Sequence, residues 1–248
     1  MGQNFLIKES ALYFIRNSIL PEKSKTYIEV GPGFMFLTEL VAKEAKKIIA
    51  IEKDRRFAKY YKEIQNTNIE VVFEDALKVN FDAFEAEELF GNIPYSITTN
   101  LIVKITKSKR IKRSILLLQK EFAQRLLSPP GTKEYGAITV FVDFFFKKRF
   151  LKTFPPHFFY PKPKVSSSLI ELRQKTVKES IDRDLLFEVV RAAFSKRRKQ
   201  IVNSLSSVFE KETVIKALKE AKIDFSRRAE TLNLEDFERI YNFLKNYY

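Results

Sequence analysis

The chain has no cysteine and only one histidine, His157. Without thiols it holds neither a disulfide framework nor a thiolate metal site, and a single imidazole makes a histidine metal cluster or a Ser/His/Asp triad a poor design. Much conventional catalysis is thereby excluded, no metal is expected, and His157 is assigned no chemistry. Long apolar runs are scarce too. The N-terminal MGQNFLIKES lacks an extended hydrophobic region, and AITVFVDFFF (residues 137–146) is interrupted by Asp143 and is too short to span a bilayer. There is no internal repeat and no low-complexity tract. A cytoplasmic protein without membrane association is expected.

What is present is a chain of 248 residues, 45% hydrophobic and 14% aromatic, enough for a full-sized core and a second small one. The net charge of +14 is unevenly spread. Residues 1–103 carry 13 Lys and Arg against 15 Asp and Glu, residues 104–177 carry 17 against 4, and residues 178–248 carry 15 against 12. A solubility device would spread the excess; its concentration in the middle points to a polyanionic partner, most simply nucleic acid, with a membrane surface the weaker alternative.

The first half alternates short β-branched or apolar runs with helix-length segments: KTYIEV (25–30), KIIAIE (47–52), IEVVF (69–73), ELFGN (88–92) and SILLLQ (114–119). That alternation predicts a Rossmann-like α/β sheet, mostly parallel. AITVFVDFFF and SSSLIEL (166–172) read as further strands, antiparallel at one edge, and the Phe-rich run as core. From about Asp182 only helical periods remain. Two domains are therefore expected, an α/β domain over 1–177 and a small all-helical domain over 178–248.

In such sheets ligands bind where loops leave the carboxyl ends of the strands. After the first strand comes EVGPGFMFLTEL, in which Gly31 and Gly33 permit a tight turn and close backbone approach, although a plain turn fits as well. After the second, Glu52 stands where an acid can bond both hydroxyls of a ribose; after the third, in FEDAL, Asp75 with its neighbour Ala76 is placed to accept from an adenine amine. Each acid alone reads equally as a solvated carboxylate. Three such features at three consecutive strand ends describe a pocket for an adenosine-bearing cofactor. The third glycine of the dinucleotide fingerprint is replaced by Phe36, so a cofactor without pyrophosphate, S-adenosylmethionine, fits better.

The fourth strand end is GNIPY. An adenine N6 is a poor nucleophile because its lone pair is delocalised into the ring. The Asn92 side-chain carbonyl and the Ile93 backbone carbonyl are placed to accept the two N6 hydrogens and turn the lone pair outward; Pro94 fixes φ and removes an N–H, and Tyr95 offers a stacking face. Catalysis would then rest on orientation and electrostatic complementarity. A turn ending a buried strand is the bland alternative, disfavoured by the neighbouring loops.

In order and spacing, GQNFL, EVGPGFMFLT, IEKD, EDAL, GNIPY, FYPKPKVSSSL, AFSKRRKQIVNSL and RAETLNLEDF together resemble the rRNA adenine N6-dimethyltransferase family, in particular its bacterial small-subunit (16S), kasugamycin-sensitivity branch rather than the large-subunit macrolide-resistance branch. The resemblance implies cofactor contacts at Asn4 and Leu6, with Gln3 adjacent, and at Gly31, Gly33, Glu52, Asp75, Ala76 and Asn92. It implies a catalytic clamp of Asn92, Ile93, Pro94 and Tyr95, faced across the target base by Phe159. The implied substrate is a pair of adjacent adenosines in the 3′-terminal hairpin loop of small-subunit rRNA, each methylated twice within an immature subunit; separately, a monomer is expected. Candidate phosphate contacts are Lys109, Arg110, Lys112, Arg113, Lys147, Lys148, Arg149, Lys162, Lys164, Arg197, Arg198 and Lys199.

Two positions depart from the family pattern. Met35 stands where a further glycine is common, and a side chain there is expected to narrow the methionine channel or shift the loop; Lys8 replaces an acid in the N-terminal arm. Two rival readings remain: a noncatalytic RNA-binding assembly or transcription factor on the same fold, and a large-subunit rRNA or DNA adenine methyltransferase.

Overall fold

The computed structural model describes residues 4–64, 66–176, 181–196 and 198–248. Nine strands are assigned: β1 (Phe5–Leu6), β2 (Thr26–Val30), β3 (Lys47–Ile51), β4 (Ile69–Val72), β5 (Ala86–Asn92), β6 (Arg113–Gln119), β7 (Phe146–Phe154), β8 (Phe159–Tyr160) and β9 (Ser167–Gln174). Among the described residues ten α-helices accompany them: α1 (Glu9–Ile19), α2 (Phe36–Ala42), α3 (Ala58–Tyr61), α4 (Thr98–Lys107), α5 (Lys120–Leu127), α6 (Ala137–Phe145), α7 (Arg183–Phe194), α8 (Ile201–Leu205), α9 (Lys211–Glu220) and α10 (Leu234–Leu244). Seven strands form one sheet in the order β4-β3-β2-β5-β6-β9-β7, and β1 and β8 form a small antiparallel pair. The first five of the seven are parallel, and β9 joins β6 antiparallel. The expected Rossmann-like sheet with an antiparallel edge is present.

Local sequence explains these elements. The runs Ile48–Ile51 and Leu116–Leu118 are buried throughout, as parallel strands covered on both faces require. In α4 the buried residues Thr98, Leu101, Ile102 and Ile105 recur at helical spacing. Register aligns Val30 with Ile51 and Gly91, and Ile51 with Val72, so the carboxyl ends of β2, β3, β4 and β5 come level at one edge.

The structure corrects the sequence reading at AITVFVDFFF. Ala137–Phe145 is a helix, and the strand β7 begins only at Phe146. Apart from Thr139 and Asp143 the run is apolar, so a strand and a largely buried helix look alike in it. Seven of its nine helical residues are buried, consistent with the expectation that the run is core.

The chain clusters into two compact units, residues 1–123 with 148–174, and residues 124–147 with 175–248. The helical unit thus draws in 124–147 in addition to the segment that follows 177. Its core explains why: Phe141 of α6 packs edge-on against Phe187 of α7 at 4.7 Å, Phe194 stacks on Phe237 at 5.8 Å, and the Tyr135 hydroxyl donates to the Leu232 carbonyl at 3.0 Å. Capping defines its helices. Asp182 accepts from the N–H groups of Asp184 and Leu185 at the start of α7, and Asn233 and Asp236 exchange bonds in a capping box at the start of α10.

Among the described residues no helix is long and apolar enough to cross a membrane, and no cluster of three or more His, Cys, Asp or Glu has metal-holding geometry.

Candidate active site

The level strand ends frame a cavity, open to solvent and lined by Asn4, Phe5, Gly31, Gly33, Glu52, Asn92, Ile93, Pro94, Tyr95, Phe159 and Ser167. Nine of these were expected from sequence. The glycine loop gives the cavity its floor: Gly31 and Gly33 have φ of +72° and +56°, and a Cβ on Gly33 would stand 2.8 Å from the Phe5 ring. Glu52 braces this loop, accepting from the Gly33 N–H at 3.2 Å and the Asp54 N–H at 2.8 Å. Burial raises its carboxyl above the usual range, opposed by those two bonds.

The clamp is tied to the N-terminal arm. Asn92 donates through Nδ2 to the Asn4 carbonyl at 2.7 Å, and among the described residues no bond engages its Oδ1. Asn4 leads into β1, whose Phe5 and Leu6 pair with Tyr160 and Phe159. One short ladder therefore joins the arm over the glycine loop to the aromatic ring across the cavity. The Ile93 N–H donates to the Leu117 carbonyl at 3.1 Å, and the Pro94 carbonyl accepts from the Ile97 N–H and the Thr98 hydroxyl, fixing the turn on the start of α4. Tyr95 is 37% exposed and Phe159 only 3%, an open face and a buried face on one cavity.

The family model described as ribosomal RNA adenine dimethylase matches residues 1–246. The chain belongs to that family. It is 37% identical to the protein named ribosomal RNA small subunit methyltransferase A of Alkaliphilus metalliredigens over 253 residues, covering 96% of this chain and 88% of the relative, and 37% identical to its namesake in Moorella thermoacetica over 257 residues, covering 96% and 89%. Among solved structures it is similar to a dimethyladenosine transferase from Plasmodium falciparum (TM-score 0.83, 26% identity, 97% and 98% coverage) and to the 23S rRNA methyltransferase ErmE (0.70, 25%, 97% and 99%).

As an rRNA adenine dimethylase the protein is an enzyme, and its cofactor is S-adenosylmethionine. The residues present suit that ligand. The glycine loop leaves room for close approach, and the carboxylates of Glu29 and Glu52 lie beside the loop with no cation among the cavity-lining residues, a donor set that suits a positively charged group. Asn4, Gly31, Gly33, Glu52 and Asn92 would hold it. Leu6 lies in an adjoining cavity with Glu29. Asp75 and Ala76 line neither cavity; Asp75 is held below the usual carboxylate range by its 2.8 Å pair with Lys53 and by the Leu77 N–H.

Met35 sits in the left-handed region, φ 58°, which favours glycine, and its side chain is fully buried against Ala50 and Tyr61 and lines neither cavity. Phe5, Ser167 and Glu29 were missed from sequence. The only local sign of Glu29 is a carboxylate inside the otherwise apolar strand TYIEV.

The predicted phosphate contacts divide. Lys162 and Lys164 are exposed and flanked in the chain by the cavity residues Phe159 and Ser167. Lys109, Arg110 and Lys112 are exposed but precede β6, at the end of the sheet opposite the clamp. Lys147 and Lys148 adjoin Arg149, which pairs with Glu171 at 2.8 Å near that same end. Arg198 and Lys199 are exposed in the link between α7 and α8; Gln3 and Arg197 lie outside the described residues.

Arg113 is a correction. Its side chain is 9% exposed, pairs with Glu171 at 2.6 Å and Glu88 at 2.7 Å, and donates to the carbonyls of Ser18 and Ile19. Charge counting took it for surface, although it heads an apolar strand. Arg113→Ala leaves Glu171 to Arg149 and Arg173, Glu88 to Lys25, and the Ser18 and Ile19 carbonyls without their donor, so stability falls by about 1–3 kcal/mol in urea unfolding, while the salt dependence of RNA binding is unchanged.

Proposed function

We propose that the protein transfers methyl groups from S-adenosylmethionine to N6 of two adjacent adenosines in the 3′-terminal hairpin loop of small-subunit rRNA, two to each, as a cytoplasmic monomer acting on an immature subunit. The observation that supports this best is Asn92, anchored through Nδ2 to Asn4 with Oδ1 left free beside Tyr95 and Phe159. The small subunit enters through the relatives that carry it in their names.

When bound, the cofactor supplies a methyl group on a positively charged sulfur. Tyr95 and Phe159 sandwich a base taken out of its stack, which is cheapest in a single-stranded loop. Asn92 Oδ1 and the Ile93 carbonyl accept the N6 hydrogens, so the nitrogen lone pair is drawn out of conjugation with the ring and faces the methyl. The proton departs after the nitrogen has become cationic, so no strong base is needed. A monomethylated N6 keeps one hydrogen for the clamp, and the second transfer requires room for a methyl group beside Asn92.

The test is methyl transfer from labelled S-adenosylmethionine to immature small subunits, with large subunits and naked DNA as controls, followed by nucleoside analysis. Dimethyladenosine in the small subunit alone is expected. Label in the large subunit or DNA instead refutes the substrate assignment, and RNA binding without label anywhere favours a noncatalytic assembly factor.

A further inference from the structure

Tyr160 is 68% exposed, the most open large apolar side chain among the described residues, and it follows directly on Phe159, which is 3% exposed. Successive side chains of a strand leave on opposite faces, so the two rings stand back to back in β8. Phe159 packs in the core with Leu6 and lines the clamp cavity; Tyr160 faces outward. Among the described residues no aromatic ring packs on Tyr160 and no hydrogen bond engages its hydroxyl. Its backbone, by contrast, is held. Tyr160 pairs with Phe5 and Phe159 with Leu6, the Ile7 and Lys8 N–H groups both donate to the Phe158 carbonyl at 2.9 and 3.3 Å, and Pro161 fixes the next φ.

The surroundings of this open ring are basic. No Asp or Glu occurs between Asp143 and Glu171, an interval with six Lys and Arg, and Lys162 and Lys164 just beyond Tyr160 are both exposed. A bare aromatic face beside unopposed cations suits a nucleotide, the ring for the base and the lysines for phosphate. A second copy of this chain fits less well, because a two-fold contact would set the same lysines against each other. Extrusion of an adenosine into the clamp also strips its neighbour in the RNA strand of a stacking partner. Tyr160 offers a replacement one residue away from the ring that meets the target base.

We propose that Tyr160 is the stacking platform for the nucleotide next to the adenosine held in the clamp, with Lys162 and Lys164 on the adjoining phosphates. The proposal rests on the reading of Tyr95 and Phe159 as a clamp for a target adenosine. No bond is made or broken on the platform. Because β8 holds it in place before RNA arrives, little freedom is lost on binding, and its effect falls on affinity for RNA and not on the chemical step.

The test is methyl transfer by the whole chain to immature small subunits, with KM and kcat measured separately. Tyr160→Ala is expected to raise KM by about 5- to 100-fold, the loss of one base–aromatic stack, and to leave kcat at saturating subunits within about twofold of wild type. Tyr160→Phe keeps the ring and the wild-type KM, whereas Tyr160→Leu keeps an apolar side chain without a stacking face and behaves like the alanine variant. A second readout uses an RNA hairpin with two adjacent loop adenosines, each replaced in turn by fluorescent 2-aminopurine. That base lacks the N6 amine, so the remaining adenosine takes the clamp, and for one of the two hairpins the wild-type complex is expected to be dimmer than the Tyr160→Ala complex. A wild-type KM in Tyr160→Ala or Tyr160→Leu, or equal emission from wild-type and Tyr160→Ala complexes with both hairpins, overturns the proposal. So does a dimer in sedimentation that Tyr160→Ala abolishes, which makes this face an interface between copies. If the wild-type protein methylates no adenosine, the clamp reading falls and the proposal with it; a methylating wild type matched by Tyr160→Ala removes the proposal alone.

Discussion

Asn92→Ala lowers kcat for methyl transfer by about 10²- to 10³-fold, the cost of removing one group that acts on charge developing in a transition state. The side chain has two jobs, and its two ends do them separately. Nδ2 is spent on the Asn4 carbonyl at 2.7 Å, which fixes the amide plane; in the proposed clamp Oδ1 remains for the substrate. Alanine removes the acceptor, so the N6 lone pair stays conjugated with the ring when the base is bound. Stacking between Tyr95 and Phe159 is untouched, so KM for the RNA changes little and kcat and kcat/KM fall together. Asn92→Asp separates orientation from acceptance. It keeps an acceptor but sets a second oxygen against the Asn4 carbonyl, and a loss nearly as large is expected. Single-turnover rates at saturating RNA measure both. A rate unchanged in Asn92→Ala, or a change confined to KM, would remove Asn92 from the reacting centre.

Why the sequence placed Asn92 at this cavity, but not Phe5, follows from the kinds of information a local pattern holds. The runs KIIAI and SILLLQ announce buried strands through composition, and once the sheet is parallel its topology places Gly31, Glu52 and Asn92 at one edge without any knowledge of contacts. Phe5 reaches the same cavity only because two-residue strands more than 150 positions apart pair with each other, and nothing in NFL or FFY records that register. Glu29 shows in sequence only as an interruption of an apolar strand; that one of its oxygens has no partner is a property of the packing. The α6 run failed for the opposite reason, since a run apolar at all but Thr139 and Asp143 blurs the period that distinguishes helix from strand. Charge counting failed at Arg113 because it sums residues without asking which face of which strand they occupy.

Gly91→Ala is expected to destabilise the protein by about 3 kcal/mol or more, the upper end of what overpacking does in a well-packed interior. A Cβ there would lie 2.3 Å from the Val30 carbonyl and 3.1 Å from Cδ1 of Ile93. The Ile93 side chain has rotamers to offer, but Val30 does not yield: it is in register with Ile51 on one side and Gly91 on the other, and the following residue, Gly31, donates to the Ile51 carbonyl at 3.0 Å. Relief must come from separation of β2 and β5 at the centre of the sheet. Those two strands carry the glycine loop and the clamp at their ends, so the same displacement spreads Gly31 from Asn92 and weakens cofactor binding as well as folding. Urea midpoints read the first effect, and the Kd for S-adenosylmethionine, measured where the variant is still fully folded, reads the second. A Gly91→Ala variant with wild-type stability and affinity would show that the strands part at little cost, and the close approach of β2 and β5 would then not be what sets the cofactor floor against the clamp.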